Sequence, residues 1–133
     1  MALNVPAQGE IQMLKYSLNF VAAEHPVLRL YSNSRSPLET DGMGSYSDLP
    51  NSYGYAGKVC SGGLWTVTSG NPSQAAFAEQ TWTFTGSVGP VAGYYVVNST
   101  AAVMLWSEQF TGGPYNIVNS GDQIKLTPTI QFD

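Results

Sequence analysis

A chain of 133 residues is the length of one domain and can bury a single core without disulfide or metal staples. Only 11% of it is charged, and its five Lys and Arg are scattered, so no basic track exists for a phosphate backbone; nucleic acid is not an expected partner, and the net charge of −4 bears on solubility. One cysteine (Cys60) excludes an internal disulfide, and one histidine (His25) excludes a multi-histidine metal centre.

Residues 1–12 carry Pro6 and Gly9 and read as an N-terminal arm, leaving residues 13–133 as the folded domain. No basic stretch leads into an apolar one there, so no signal peptide is expected, and no apolar run is long enough to span a bilayer. From residue 13 the side chains alternate, with Leu14, Tyr16, Leu18, Phe20 and Ala22 on one face and Lys15, Ser17 and Asn19 on the other. That period of two predicts a strand, against a fair helical propensity in the same residues. His25-Pro26 breaks the run, and residues 27–31 (VLRLY) form the next strand. Residues 32–52 are the longest irregular piece, with Ser36-Pro37, Asp41-Gly42 and Pro50-Asn51, and read as a contact loop.

Residues 53–60 and 64–68 flank Ser61-Gly62-Gly63 and predict a hairpin. Residues 69–73 are a turn cluster, and 74–79 form a helical turn or an irregular strand entry. In residues 80–85, Trp82 and Phe84 face one way and Thr81, Thr83 and Thr85 the other. Residues 94–97 and 103–110 predict a hairpin through Asn98-Ser99-Thr100-Ala101-Ala102. A second one joins 115–118 to 124–132, where Ile124, Leu126, Ile130 and Phe132 share a face. Pro128 cannot donate a ladder bond, which places the last strand at an edge or a bulge. The pattern predicts an all-β fold, a single-domain antiparallel β-sandwich, jelly-roll-like, of about eight strands.

Few residues invite chemistry. His25 beside a proline at a turn reads as a surface residue, and Cys60, with no helix start to lower its pKa, as a buried inert thiol. Glu39, Asp41 and Asp48 lie among glycines and serines and read as solvated or turn-capping carboxylates, with weak calcium binding as the alternative. No glycine-rich segment between strand and helix cradles a phosphate. The chain is therefore read as non-enzymatic, with no catalytic residue, metal or cofactor. Tyr46, Tyr53, Tyr55 and Trp65 are the candidate contact residues, toward a protein or a glycan, because aromatic platforms stack on either.

Three segments carry a resemblance: residues 28–36 (LRLYSNSRS), 93–110 (GYYVVNSTAAVMLWSEQF) and 119–132 (NSGDQIKLTPTIQF). The layout resembles small virion structural proteins of tailed bacteriophages. In these a GYxV…xxLLWxExF hairpin precedes a GDxxxxTPxI terminal strand, matched here by Gly93, Tyr94, Val96, Leu105, Trp106, Glu108, Phe110, Gly121, Asp122, Thr127, Pro128 and Ile130. The resemblance covers the last forty or so residues well and the region from 28 to 41 loosely. It implies a head decoration (cement) protein on the capsid surface, made in the bacterial host cytoplasm. The implied partners are the major capsid protein and copies of the chain itself in a homo-oligomer, with no membrane involved. A tail- or fibre-borne module that recognises host-surface glycans is the alternative.

Overall fold

In the computed structural model, which describes residues 3–132, one helix, α1 (Ala7–Ser17), precedes eleven short strands. In chain order these are β1 (Val27–Tyr31), β2 (Lys58–Val59), β3 (Trp65–Thr68), β4 (Ser73–Phe77), β5 (Gln80–Thr83), β6 (Gly89–Val91), β7 (Gly93–Val97), β8 (Met104–Gln109), β9 (Tyr115–Ile117), β10 (Gln123–Leu126) and β11 (Thr129–Phe132). Every ladder between them is antiparallel. The fold is thus mostly β, as the alternation predicts, but eleven strands share four small sheets where about eight were expected.

The central sheet has the order β2-β1-β7-β8. Its inner strand β7 (GYYVV) is buried along its whole length, as a near-continuous apolar run requires when both faces are covered. One face, with Leu28, Leu30, Tyr94 and Val96, joins the main core, which also holds Phe77, Trp82, Phe84, Trp106, Ile124 and Ile130. The other, with Tyr31, Tyr95, Val97 and Met104, forms a smaller cluster under Tyr46. Gly93 lets the strands close up: a Cβ there would lie 2.3 Å from the Glu108 carbonyl oxygen and 2.5 Å from the Tyr31 hydroxyl.

The β7–β8 hairpin and β1 form as predicted. Two other hairpins do not. The 53–60/64–68 pairing is replaced by β2 on β1 and β3 on β4, because residues 62–64 make a 3-10 turn that carries the chain to another sheet. Similarly, β9 pairs with β6 and β10 with β5, while Thr127-Pro128 ends β10 so that β11 can join β4. Pro128 lies between two strands, and its carbonyl accepts from the Phe77 N–H at 2.9 Å. The final strand is a sheet edge, and Phe132 at its end stands 59% exposed, while Ile124, Leu126 and Ile130 are buried.

The largest correction is at the N-terminus. The second half of the predicted arm and the first half of the strand predicted from residue 13 are one helix, and the boundary drawn after residue 12 falls inside it; Met1 and Ala2 lie outside the described residues. Good helix formers dominate AQGEIQMLKYS, and the spacing Leu14/Leu18 fits a helix as well as a strand. The end is a Schellman turn. Asn19 is left-handed at φ 56°, its N–H reaches the Tyr16 carbonyl at 3.1 Å, and the Phe20 N–H reaches Lys15 at 2.8 Å. The helix lies along β8, covering an edge of the central sheet that would otherwise be open.

Candidate interaction surface

The predicted contact residues separate into buried and exposed ones. Tyr46 is buried, stacked on Tyr95 at 5.5 Å and edge-on to Tyr31 at 4.7 Å. Tyr55 is buried beside Trp82, and its hydroxyl accepts the Leu30 N–H at 3.0 Å while donating to Asp48 at 2.6 Å. Trp65 is half-buried between Phe77 and Trp106, with its indole N–H on the Cys60 carbonyl at 3.0 Å. Only Tyr53 is open, at 52%, where its ring lies over Gly86. The four therefore do not converge into a platform: rings and hydroxyls of Tyr46 and Tyr55 are committed to packing and internal hydrogen bonds.

Of the three carboxylates read as solvated or turn-capping, Glu39 is exposed, but Asp41 and Asp48 are the pins of the 32–52 segment. Asp41 is buried and accepts from the Tyr46 hydroxyl at 2.6 Å, the Leu38 N–H at 2.9 Å and the Arg35 guanidinium. Burial pushes its carboxyl up, but hydrogen bonds from Arg35, Tyr46 and Leu38 and the Arg35 charge outweigh that and hold it below the usual range. Asp48 pairs with Arg29 at 3.0 Å and bridges back to Tyr31. The long loop is thus fixed onto the tyrosine face of the central sheet. Cys60 is buried as expected, and burial pushes its thiol up to about 11, so it stays protonated.

Sequence reasoning also missed Glu24. Its carboxylate accepts from Asn98 Nδ2 at 3.0 Å, the Ser99 hydroxyl at 2.8 Å, the Thr100 N–H at 3.0 Å and the Tyr16 hydroxyl at 3.1 Å. The Ser99 bond is the main reason its pKa is lowered. One carboxylate thereby ties the end of α1 to the β7–β8 turn.

The seat of α1 is equally specific. Gly9 meets β8 so closely that a Cβ would stand 2.1 Å from the Leu105 carbonyl oxygen. Gln8 donates to the Asp41 carbonyl at 2.8 Å and accepts the Met104 N–H at 3.3 Å, while Asn4 and Ser107 exchange two backbone bonds of 2.9 Å. Met13 and Tyr16 pack on the main core. With Gly9, Met13 and Tyr16 turned inward, the opposite face presents Ile11 (55% exposed), Leu14 (60%) and Leu18 (76%) to solvent, and the Schellman turn sets Phe20 (76%) beside them. These side chains and Lys15 line a shallow concavity of about 370 Å³, and a neighbouring one of about 380 Å³ reaches Phe132. Taking about 200 Å² for a fully exposed large side chain, the five exposed residues offer roughly 600 Å², at the top of what a solitary surface carries.

A second apolar region lies at the opposite edge of the β11-β4-β3 sheet, where Val67 of β3 and Leu64 just before it are 78% and 60% exposed. A third feature is a groove of about 390 Å³ whose walls include Tyr94, Glu108, Phe110, Tyr115 and Lys125, with Glu108 accepting from the Tyr94 hydroxyl at 2.9 Å. No group of three or more metal-ligating side chains occurs among the described residues, and no helix there is long and apolar enough to cross a membrane. Comparison with protein-family models, curated proteins and solved structures finds no match.

Proposed function

We propose that the chain is a non-enzymatic structural protein of a bacteriophage virion, a capsid decoration protein that binds and stabilises the lattice of the major capsid protein. The observation that carries this reading is the apolar face of α1, held out to solvent on a helix fixed by Gly9, Gln8 and Asn4. A rigid body with apolar surface at two edges suits work by lasting contact, and one edge can meet copies of the chain while the other meets coat. The segments that carry the resemblance build most of β1 and all of β7, β8, β10 and β11, so the shared pattern belongs to the scaffold. The central and three-stranded sheets act as the two layers of a jelly-roll-like sandwich; Trp65 of β3 against Trp106 of β8, at 6.2 Å, supports that pairing. On the particle, many weak copies bridging adjacent coat subunits add up to a stabilisation far above any single contact.

In this reading the Leu64–Val67 edge faces the coat. Purified protein added to shells lacking it binds saturably and raises the temperature of DNA release. The paired changes Leu64→Asp and Val67→Asp weaken binding at least tenfold while leaving the melting temperature unchanged, because both side chains are already in water. Absence of saturable binding by the unaltered protein overturns the proposal.

One observation favours a second reading, a tail-borne glycan-binding module: in the groove Tyr115 is 45% exposed beside Phe110, with Glu108 as an acceptor. Glycan arrays with Tyr115→Ala as control, and copy number per particle, separate the two. Hundreds of copies favour decoration, and a few favour the tail.

A further inference from the structure

The outward face of α1 has a spacing that matters. Ala7, Ile11, Leu14 and Leu18 follow steps of four, three and four residues and are all exposed. That is the a/d stripe of a coiled coil, with Ile11 and Leu18 at a and Ala7 and Leu14 at d. A helix whose only task is to cover a sheet turns such a stripe inward. Here the inward face is Gly9, Met13 and Tyr16, and the stripe has no partner among the described residues. Its flanks carry one charge each: Glu10 lies on the g side and Lys15 on the e side, about 70° either way from the stripe's centre at 100° per residue.

We propose that α1 pairs in parallel with α1 of a second copy of this chain, forming a two-fold dimer through this stripe. Charge selects both partner and direction. In a parallel pair the g residue of one helix meets the e residue five positions on in the other, so Glu10 meets Lys15 twice. An antiparallel pair sets Glu10 against Glu10 and Lys15 against Lys15. Gln8, the remaining e residue of the helix, is spent on Asp41 and Met104, so no other contact contradicts this register. The one β-branched a residue, Ile11, followed by Leu14 at d, favours two strands over three. The roughly 600 Å² per copy, with Phe20 and Phe132 extending the stripe beyond its three turns, comes to about 1,200 Å² in all, the lower bound for a specific interface. An interface at that bound suits a pair that dissociates on dilution. It deepens the structural role proposed above by naming one of its partners, and rests on that role only for where the dimer is used.

Light scattering and sedimentation on the purified chain, without any shells, test it. The unaltered protein is a dimer at about 100 μM and dissociates on dilution. Leu14→Asp is a monomer with an unchanged melting temperature. Glu10→Lys and Lys15→Glu each weaken dimerisation about five- to tenfold, and combining them in one chain, or mixing the two single variants, restores most of it. Ala7→Cys crosslinks to itself under mild oxidation, since d positions face each other in a parallel pair and the buried Cys60 does not compete. A monomer at 100 μM, an oligomer untouched by Leu14→Asp, no loss with either single charge change, or no Ala7→Cys crosslink overturns the proposal. A monomer that loses shell binding on Leu14→Asp assigns this face to the coat instead. Normal dimerisation without shell binding overturns the decoration role and leaves the dimer standing.

Discussion

Replacing Asp41 by alanine is expected to cost about 3 kcal/mol of folding stability, near the lower end for breaking a buried ion pair because Arg35 keeps access to water. For a chain of this size that is a fall in melting temperature of about 10 °C. The change leaves the Tyr46 hydroxyl and Leu38 N–H without their acceptor and frees the segment that roofs the tyrosine face. Asp41→Asn keeps the shape and one acceptor, so it costs about half as much. Denaturant melts of the three proteins measure this. A loss under about 0.5 kcal/mol for the alanine variant would return Asp41 to the ordinary surface carboxylates.

The same carboxylate makes stability depend on acid, with a definite sign. Its folded pKa lies below the ordinary value of about 3.9, so its contribution is complete above that pH and disappears as the pH falls through the folded value. The difference in stability between the unaltered protein and Asp41→Asn is thus full at pH 6 and closes below about pH 4. At the alkaline end the sign reverses. Burial raises the Tyr31, Tyr46 and Tyr95 hydroxyls, Tyr95 to about 12, so their contribution is present below pH 10 and lost above it.

What the sequence reveals of this fold is what neighbours in the chain decide. The β7–β8 hairpin, β1, and the inward Trp82 and Phe84 were legible because turn residues and a period of two act over a few positions. The partners of β2, β9, β10 and β11 were not, since each pairs with a strand far away in the chain and the local glycine turns suggested nearer ones. In the candidate surface the misreading was of period. Leu14, Tyr16, Leu18 and Phe20 satisfy alternation, but Ala7, Ile11, Leu14 and Leu18 satisfy a heptad, and the second pattern extends back through residues assigned to an arm. Asn19, ready for the left-handed position after a helix, was a further available signal. Tyr46 and Tyr55 looked like free aromatics because their partners, Asp41, Ser107, Asp48 and the Leu30 N–H, converge on them only in three dimensions.

Gly9→Ala is expected to separate the scaffold from its surface. By helix propensity the substitution stabilises, by about 1 kcal/mol for an interior glycine. The seat opposes it: the new methyl would sit 2.1 Å from a backbone carbonyl of β8, and a strand paired to β7 cannot withdraw as a flexible side chain can. Relief requires moving α1 outward, which stretches the Gln8 bonds to Asp41 and Met104 and the Asn4–Ser107 bridge. Overpacking of this kind costs about 1–3 kcal/mol, and the lost bonds add to it, so the net change is a destabilisation of about 2 kcal/mol. The effect is local. Amide exchange speeds up throughout Ala7–Ser17, while β1, β7 and the main core keep their protection. Because Ile11, Leu14 and Leu18 hold their stripe only on a seated helix, self-association falls along with the helix, although no residue of the stripe has been touched. Gly44 is the control, since a Cβ there meets nothing within 4 Å and Gly44→Ala should leave both helix and association unchanged. If Gly9→Ala is more stable than the parent, the close approach to Leu105 does not exist and the helix is held by its side-chain contacts alone.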